Sequence, residues 1–345
     1  MLFVDFKAAY DSIDRNKLWN VMARIGIPEK LIRMIKTCVQ GSKCKVNFGG
    51  DYSNEFLVST GLRQGDALSP ALFNIALESV VRQVLCKAKG IKISDNQQLA
   101  IVAYADDLVL TTENEESLKQ SAKELIRIGA EIGLSVNEEK TKYLILVEHF
   151  KYLGAWVNEN ANSHEEIKER LIAANRCYFG LSTLFKSKLL SRRSKITLYK
   201  VLIRPIVLYA CEKWATTKTD ENKLGVFERK ILRQIYGPKK NNVGEFEVRT
   251  NEELRSLFGE ANIIGIMQSY RLRWAIHVWR SEGILGNITR WRPSTKRPRG
   301  RPRQRWADRI KEDLRIIGIE NGEEVSRDRE KRRDVVDAAM DLNGL

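Results

Sequence analysis

Two neighbouring aspartates lie inside a short apolar segment. Asp106 and Asp107 are preceded by the mostly apolar residues 99–102 and followed by the apolar residues 108–110. This pattern predicts two short buried strands joined by a tight turn that carries both carboxylates. Two like charges beside an apolar surface are unfavourable, and a cation bound by both removes that cost. Carboxylate oxygens suit Mg²⁺, which also accepts water and substrate phosphates as ligands. The alternative is an ordinary hairpin turn, where aspartate is common.

A third aspartate, Asp5, ends a second apolar segment, residues 2–4. If the two strands end side by side, Asp5 lies next to Asp106. Three carboxylates at one edge of a sheet can hold two metal ions roughly 3.5–4 Å apart, which is the geometry of in-line phosphoryl transfer. These residues therefore suggest a metal-dependent phosphoryl-transfer site.

Three segments resemble motifs of reverse transcriptases, and they occur in the family's order. Residues 3–11 (FVDFKAAYD) resemble motif A, residues 61–74 (GLRQGDALSPALFN) motif B and residues 104–107 (YADD) motif C. The resemblance is to the polymerases of non-LTR (LINE-like) retrotransposons in particular. It implies an α+β fold, with a polymerase palm (an antiparallel sheet with packed helices), a helical thumb and a basic helical or extended C-terminal region.

The resemblance also implies an activity, a cofactor and partners. The activity is RNA-templated DNA synthesis by two-metal nucleotidyl transfer to a primer 3′-OH. Asp5, Asp106 and Asp107 would bind two Mg²⁺ ions, with Mn²⁺ as an alternative. The implied partners are an RNA template, a DNA primer and deoxynucleoside triphosphates, and no oligomeric state is indicated.

Further residues receive roles from the same resemblance. Lys140 lies in a segment similar to motif D, and it would be the general acid that protonates the departing pyrophosphate. The residues placed at the nucleotide or the template are Phe6, Tyr10, Arg63, Gln64 and Gly65. The residues placed in the primer grip, the hairpin that holds the growing 3′ end, are Phe150, Tyr152, Leu153 and Gly154.

Three of these residues have simpler alternatives. The ring of Tyr10 would exclude a 2′-hydroxyl by its volume, but it also suits packing at the start of a helix. Arg63 is either a phosphate contact or a solvated loop charge, and Lys140 is either the acid or a solvated turn lysine. Asp66 is predicted to cap the helix that begins at Ser69.

Composition bounds the classes of function. The chain has 345 residues, of which 43% are hydrophobic, and a formal net charge of +15. The positive charge predicts a polyanionic partner, with nucleic acid ahead of a membrane surface. No run of about eighteen apolar residues is present to span a membrane. The five scattered cysteines form no C-x-x-C pair, so we expect reduced thiols. Because the N-terminus leads directly into a strand, we also expect an intracellular protein of the nucleus or the cytoplasm.

The predicted organisation has three parts. Residues 1–157 form the palm, residues 158–240 a helical thumb-like region, and residues 241–345 a C-terminal helical region with a basic stretch at 292–305. A capping box is predicted at Thr112 and Glu115. Further predicted helices cover residues 165–184, about 194–214 with an interruption at Pro205, a segment capped by Asp220, 263–279, and about 306–317.

The region after the palm offers nucleic-acid contacts and scaffold. A basic cluster between two of its helices suits either phosphate contacts or a solvated loop. The helix at 263–279 carries Tyr270, Trp274, His277 and Trp279, and aromatic residues at this spacing favour a core over a base-stacking platform; His277 receives no role. The helix at 306–317 is expected to be a solvated cover, and the charged tail from Glu320 to be partly mobile.

The basic stretch contains a short motif of its own. The segment RPRGRPR, residues 297–303, resembles an AT-hook, which lies in the minor groove of DNA. Generic phosphate binding is the alternative. The residues predicted to contact nucleic acid here are Arg297, Arg299, Arg301 and Arg303.

The sequence departs from the family at both ends of the match. The fingers region that precedes motif A in the family, the upstream endonuclease and a Cys/His zinc knuckle are not in this sequence. We therefore expect a truncated element copy with weak or no polymerase activity. The competing hypothesis is a non-catalytic nucleic-acid binder that acts through its basic C-terminal region.

Overall fold

The computed structural model describes residues 1–94, 96–144, 149–158, 163–242, 244–291 and 305–341. The chain divides into two compact units, residues 1–150 and 151–345. None of the helices in the described ranges combines the length and the apolar composition that crossing a bilayer requires.

The first unit is built on a four-stranded antiparallel sheet with the order β10-β1-β9-β8. β1 lies in the interior of this sheet, and its residues Leu2, Phe3 and Val4 face Leu110, Val109 and Leu108 of β9. The strands of this unit are β1 (Leu2–Val4), β2 (Lys43–Cys44), β3 (Asn47–Phe48), β4 (Asp51–Tyr52), β5 (Phe56–Leu57), β6 (Ile91–Ser94), β7 (Gln97–Leu99), β8 (Ile101–Tyr104), β9 (Asp107–Leu110) and β10 (Lys142–Tyr143).

Helices pack apolar faces against this sheet. They are α1 (Ala9–Ser12), α2 (Arg15–Arg24), α3 (Glu29–Val39), α4 (Ser69–Leu85) and α5 (Glu115–Glu131). The core is formed by apolar side chains of β1, β9, α2, α4 and α5, among them Val4, Leu18, Phe73, Val80, Leu108 and Leu125. Its burial is the main driving force that fixes the sheet edge where the aspartates lie.

Two sequence predictions in this unit need correction. β8 is not buried: Val102 and Tyr104 are exposed, so only β9 of the hairpin belongs to the core. The predicted capping box at Thr112 is also wrong, because the Thr112 hydroxyl donates to the Asn114 carbonyl, at 2.8 Å. Asn114 caps α5 instead, and its side chain accepts the N–H of Ser117.

The second unit is mainly helical. It begins within the hairpin of β11 (His149–Tyr152) and β12 (Ala155–Asn158). The following elements are α6 (His164–Gly180), α7 (Ser182–Lys186), α8 (Arg192–Leu198), a π-helical turn (Tyr199–Ile203), α9 (Arg204–Leu208), a 3₁₀ turn (Cys211–Lys213), α10 (Lys218–Tyr236), β13 (Lys239–Lys240), β14 (Phe246–Glu247), α11 (Asn251–Phe258), α12 (Ile263–Arg280), α13 (Ile284–Arg290), α14 (Trp306–Ile316), α15 (Gly322–Val325) and α16 (Arg329–Asp341).

The helices of this unit differ from their predicted bounds at identifiable points. The helix predicted at 165–184 is divided between α6 and α7. The helix predicted around Pro205 contains the π-helical turn just before the proline, which has no N–H to donate and so disturbs the regular ladder. The N-cap of α10 is Thr217, and Asp220 is its capping-box partner three residues later, not the cap itself.

The C-terminal helices are packed more firmly than the charged sequence suggests. Ile310 and Leu314 of α14 are buried against Val335 of α16 and against α12, so α14 is not a solvated cover. The charged tail from Glu320 is not simply mobile, since it forms α15 and α16, which supply part of that core.

Candidate active site

Three aspartates lie at the same end of neighbouring strands. Val4 of β1 faces Leu108 of β9, and continuing this antiparallel register by one residue places Asp5 opposite Asp107. Asp106 lies in the turn between β8 and β9, after Ala105, whose φ of 50° is in the left-handed region. All three aspartates are partly buried. The sheet therefore brings together the residues that the sequence proposes as one carboxylate cluster.

The electrostatics of this cluster are those of crowded like charges. Burial and the negative charges of Asp106 and Asp5 raise the pKa of Asp107. Across the described residues, no three or more His, Cys, Asp or Glu side chains lie close enough together to hold a metal ion by themselves. The donor set nevertheless fits a hard divalent cation, because such sites use one or two carboxylates and leave positions for water and substrate phosphates.

The loop that resembles motif D brackets Asp5 from the other side of β1. The N–H of Asn137 donates to the carbonyl of Asp5 at 2.7 Å, and the N–H of Asp5 donates to the Thr141 hydroxyl at 3.4 Å. Lys140 is exposed and lies in this same loop, where its N–H donates to the Asn137 side chain. The fold thus puts the backbone of Lys140 near the carboxylate edge, and both interpretations of its side chain remain.

Tyr10 combines a packing contact with nearness to the carboxylates. Its ring stacks on Phe73 of α4, with ring centroids 4.5 Å apart and an interplanar angle of 16°. Burial and the charge of Asp106 both raise the pKa of Tyr10. Phe6 differs, because its side chain is only 5% exposed and belongs to the core, which leaves mainly its backbone to face a ligand.

The loop before α4 presents Gln64 and Gly65 to solvent. Gly65 has a φ of +87°, and no atom of the described residues lies within 4 Å of where its Cβ would stand. Its backbone is therefore open to close approach. Arg63 is partly committed elsewhere, since it donates to the carbonyl of Cys38 and to the hydroxyl of Ser42. The predicted cap at Asp66 is wrong, because Leu68 occupies the N-cap position of α4 without a side-chain cap, and the Asp66 carboxylate accepts the N–H of Leu68 itself at 3.0 Å.

Comparison with known proteins decides the family of this site. The family described as "Reverse transcriptase (RNA-dependent DNA polymerase)" matches residues 1–157. These residues are a reverse transcriptase domain. The match covers the carboxylate edge, the loop before α4 and the hairpin of β11 and β12. By family the domain is an RNA-directed DNA polymerase, which confirms the resemblance seen in the sequence.

The relatives are proteins of transposable elements. An uncharacterized transposon-derived protein of Caenorhabditis elegans is 24% identical over 244 residues, which cover 64% of this chain and 87% of that protein. The Pol polyprotein of the R2 element of Drosophila melanogaster is 29% identical over 137 residues. The RNA-directed DNA polymerase of the mobile element jockey from Drosophila funebris is 24% identical over 264 residues. R2 and jockey are non-LTR retrotransposons.

The extent of these matches differs between relatives. The match covers only 13% of the R2 polyprotein and 28% of the jockey polymerase. The jockey match covers 68% of this chain, so the similarity continues beyond the reverse transcriptase domain. Among solved structures, telomerase from Candida tropicalis has a TM-score of 0.40 and 16% identity, over 68% of this chain and 41% of that one.

The burial of one arginine in the reverse transcriptase domain was not predicted from the sequence. Arg15 is 5% exposed, and its guanidinium donates to the carbonyls of Gly61 and Val58 at 2.7 and 2.8 Å. The loop also packs tightly on α1, because a Cβ at Gly61 would stand 2.6 Å from the carbonyl oxygen of Asp11. Arg15 follows Asp14 at the start of an amphipathic helix, and that position gave no signal that its side chain turns inward.

The hairpin that resembles the primer grip is held at its turn. The ring of Phe150 contacts Phe3 of β1, with centroids 4.5 Å apart. Leu153 and Gly154 form the turn with positive φ, and the Tyr209 hydroxyl donates to the Leu153 carbonyl at 2.8 Å. Arg170 donates to the Gly154 carbonyl and stacks over the Tyr209 ring, with its Cζ 4.4 Å from the ring centroid.

The sequence did not predict the roles of Tyr209 and Arg170, because both residues are distant in sequence from the turn that they hold. Tyr152 is partly buried in the same hairpin. The predicted nucleic-acid contacts Arg297, Arg299, Arg301 and Arg303 lie outside the described residues.

Proposed function

We propose that this chain carries out RNA-templated DNA synthesis at the edge formed by Asp5, Asp106 and Asp107. The observation that supports this is the strand register, in which Val4 of β1 pairs with Leu108 of β9, so that Asp5 and Asp107 are the next residues at the same end of the two strands. The two Mg²⁺ ions expected there, for which Mn²⁺ is an alternative, would neutralise triphosphate charge and lower the pKa of the primer 3′-OH.

The surrounding residues have distinct parts in this proposal. Gly65 and Gln64 contact the incoming nucleotide or the template from the open loop before α4. Tyr10, held by Phe73, fills the space that a 2′-hydroxyl would occupy. Lys140 donates a proton to the departing pyrophosphate from the loop that brackets Asp5. The turn at Leu153 and Gly154, fixed by Tyr209, holds the primer end.

The partners follow from the same proposal. The RNA template and the DNA primer bring many phosphates, and the net charge of +15 provides the attraction. Deoxynucleoside triphosphates are the small substrates. This activity is a proposal for the chain as it stands, since it spans about an eighth of the R2 polyprotein and about a quarter of the jockey polymerase.

Primer extension tests the proposal directly. The chain is incubated with a DNA primer on an RNA template, deoxynucleotides and Mg²⁺, and the products are resolved by length. We expect weak extension that requires the metal and that Asp106→Asn reduces by at least about a hundredfold, because an ion loses a charged ligand. Asp51→Asn, an exposed aspartate of β4, is the matched control and keeps the parent rate.

The contrary result is equally specific. Extension that survives Asp106→Asn, or that proceeds in EDTA, contradicts the assignment of the site. Salt-sensitive binding of RNA and DNA with no extension by the parent chain contradicts the proposed activity and leaves a nucleic-acid-binding chain.

A further inference from the structure

The second unit contains an aromatic and basic cleft that lies outside the reverse transcriptase domain. It has a volume of about 780 Å³ and is bordered by α12 and α16. We propose that this cleft, here called the α12–α16 cleft, binds an unpaired segment of nucleic acid by stacking bases on aromatic rings. The proposal does not depend on polymerase activity, because the cleft holds none of the carboxylates of the active site.

The aromatic side of the cleft is one face of α12. Tyr270, Trp274 and His277 recur at a spacing of four and three residues, so they lie on the same side of the helix. Tyr270 and Trp274 are each 40% exposed. The rings of Trp274 and His277 stack on one another, with centroids 5.5 Å apart and an interplanar angle of 28°.

The opposite face of α12 explains why these rings remain outside. Leu272, Ala275 and Ile276 fill the core shared with α14 and α16. The helix therefore already has a buried apolar face, and the exposed rings are additional to it. Large aromatic rings that are only partly buried can bury more of their surface by packing against a flat ligand.

Positive charge accompanies the rings. Arg273 and Arg280 lie on the same face of α12, and Arg332 and Arg333 line the cleft from α16. Glu212 and Asp337 are the acidic residues among the lining residues, so the lining carries four arginines and two carboxylates, and Arg333 pairs with Asp337 at 3.8 Å. Arg273 already lies over the Tyr270 ring, with its Cζ 5.9 Å from the centroid.

This combination favours unpaired nucleic acid over a duplex or an acidic peptide. Bases inside a duplex are already stacked, so exposed rings gain little from them, whereas unpaired bases stack on aromatic side chains and on arginine planes. An acidic peptide would use the arginines and leave the rings uncovered. From Tyr270 to Arg280 the helix rises by about 15 Å, which is long enough for more than one nucleotide.

The first test locates the bound strand. The full chain in EDTA, where no synthesis occurs, is irradiated with oligouridine that carries 5-iodouridine, and the tryptic peptides are identified by mass spectrometry. Trypsin cleaves after Arg273 and Arg280, so the peptide of residues 274–280 reports the cleft. We expect this peptide to be crosslinked. Crosslinks confined to residues 1–157 or 292–305 overturn the proposal.

The second test separates stacking from charge. We expect Trp274→Ala to weaken binding of fluorescent oligouridine and oligothymidine by at least about fivefold in anisotropy, and Trp274→Phe to keep most of the affinity. Phe246→Ala is the matched control, because Phe246 is a 71% exposed ring with Lys240 over it outside the cleft. The RNA and DNA arms show which strand the cleft prefers.

Charge is tested on the same cleft. Arg273→Gln with Arg280→Gln should lower the slope of log affinity against log salt by roughly 0.7 per arginine that contacts a phosphate. Equal loss from Trp274→Ala and Phe246→Ala, or displacement of the crosslink by polyglutamate as readily as by oligouridine, overturns the proposal. A failed primer-extension assay does not bear on it, because these measurements are made in EDTA.

Discussion

At the scale of single residues, the carboxylate edge is a place where negative charges crowd one another. Asp107 is partly buried beside two other negative charges, which with burial raise its pKa. A carboxyl group whose pKa is higher in the folded than in the unfolded state binds protons more tightly when folded. Its ionised form therefore destabilises the fold at neutral pH, and this penalty disappears as the pH falls below about 3.9, the usual value of an unfolded aspartate.

Asp107→Asn should therefore stabilise the metal-free protein. Removing one of three crowded charges raises the free energy of unfolding at pH 7 by about 1 kcal/mol, or the Tm by about 2–4 °C. The gain should vanish below about pH 4, where the parent carboxyl is protonated in both states. Thermal unfolding in EDTA across this pH range measures both effects.

The same variant should respond less strongly to divalent ions. Millimolar Mn²⁺ or Mg²⁺ raises the Tm of the parent by linkage, since the ions bind the folded chain, and Asp107→Asn should show a smaller rise. Asp51→Asn, in the exposed hairpin, serves as the control for both measurements. A variant that is less stable than the parent in EDTA contradicts the crowded-charge explanation.

At the scale of elements, α10, α12 and α14 meet at a buried network of charges. Arg271 and Asp313 are 0% and 1% exposed, and the Nε of Arg271 donates to the Asp313 carboxylate at 2.7 Å. Arg309 of α14 contacts both Asp313 and Glu221 of α10. Arg271 also donates to the carbonyl of Trp214 at 2.7 Å. These contacts fix the three helices relative to one another.

Breaking this network at Asp313 should destabilise the second unit strongly. Asp313→Ala leaves two buried guanidinium groups without their shared carboxylate, and loss of one partner of a buried pair costs about 3–5 kcal/mol. Glu312→Ala is the neighbouring control, since Glu312 pairs with Arg315 on the surface and the loss of such an exposed pair should change the stability little. Urea unfolding followed by tryptophan fluorescence compares them. Equal effects of the two substitutions contradict the role given to Asp313.

The same elements show what sequence can predict. Local patterns predicted the hairpin at Asp106 and the start of α4 at Ser69, because apolar periodicity and turn residues encode them. The burial of α14 was not predictable, since Arg309 and Asp313 suggest a solvated face. Their partners come from helices more than forty residues away.

Side-chain direction was equally hard to predict on α12. Its aromatic residues suit a core as well as a surface, and only the packing of Leu272 and Ile276 decides which face is inside. For the candidate active site, the sequence predicted aspartates at the ends of strands, but the contacts made by Arg15 and Tyr209 depend on the tertiary fold. No local periodicity reports such contacts.

At the scale of the whole molecule, positive charge is concentrated in one stretch of the sequence. Residues 292–305 contain seven arginine or lysine residues and no acid. Replacing these seven with glutamine lowers the formal net charge from +15 to +8. Because affinity for DNA depends on the counterions that are released when basic side chains neutralise phosphates, this stretch should dominate the salt dependence of binding.

We expect the seven-glutamine variant to bind a DNA duplex with a log–log salt slope smaller by up to about six, at about 0.9 for each phosphate that the variant no longer neutralises. The slope is measured by anisotropy of a labelled duplex between roughly 50 and 300 mM salt.

A variant with residues 292–305 shuffled keeps the charge but not the RPRGRPR order. If the shuffled chain keeps its affinity but loses any preference for AT-rich over GC-rich duplexes, the stretch acts as an AT-hook. If the shuffled chain and the parent show the same affinity and no preference, the stretch binds phosphates generically. A seven-glutamine variant with an unchanged slope contradicts both explanations of residues 292–305, because the charge that attracts nucleic acid would then lie elsewhere in the chain.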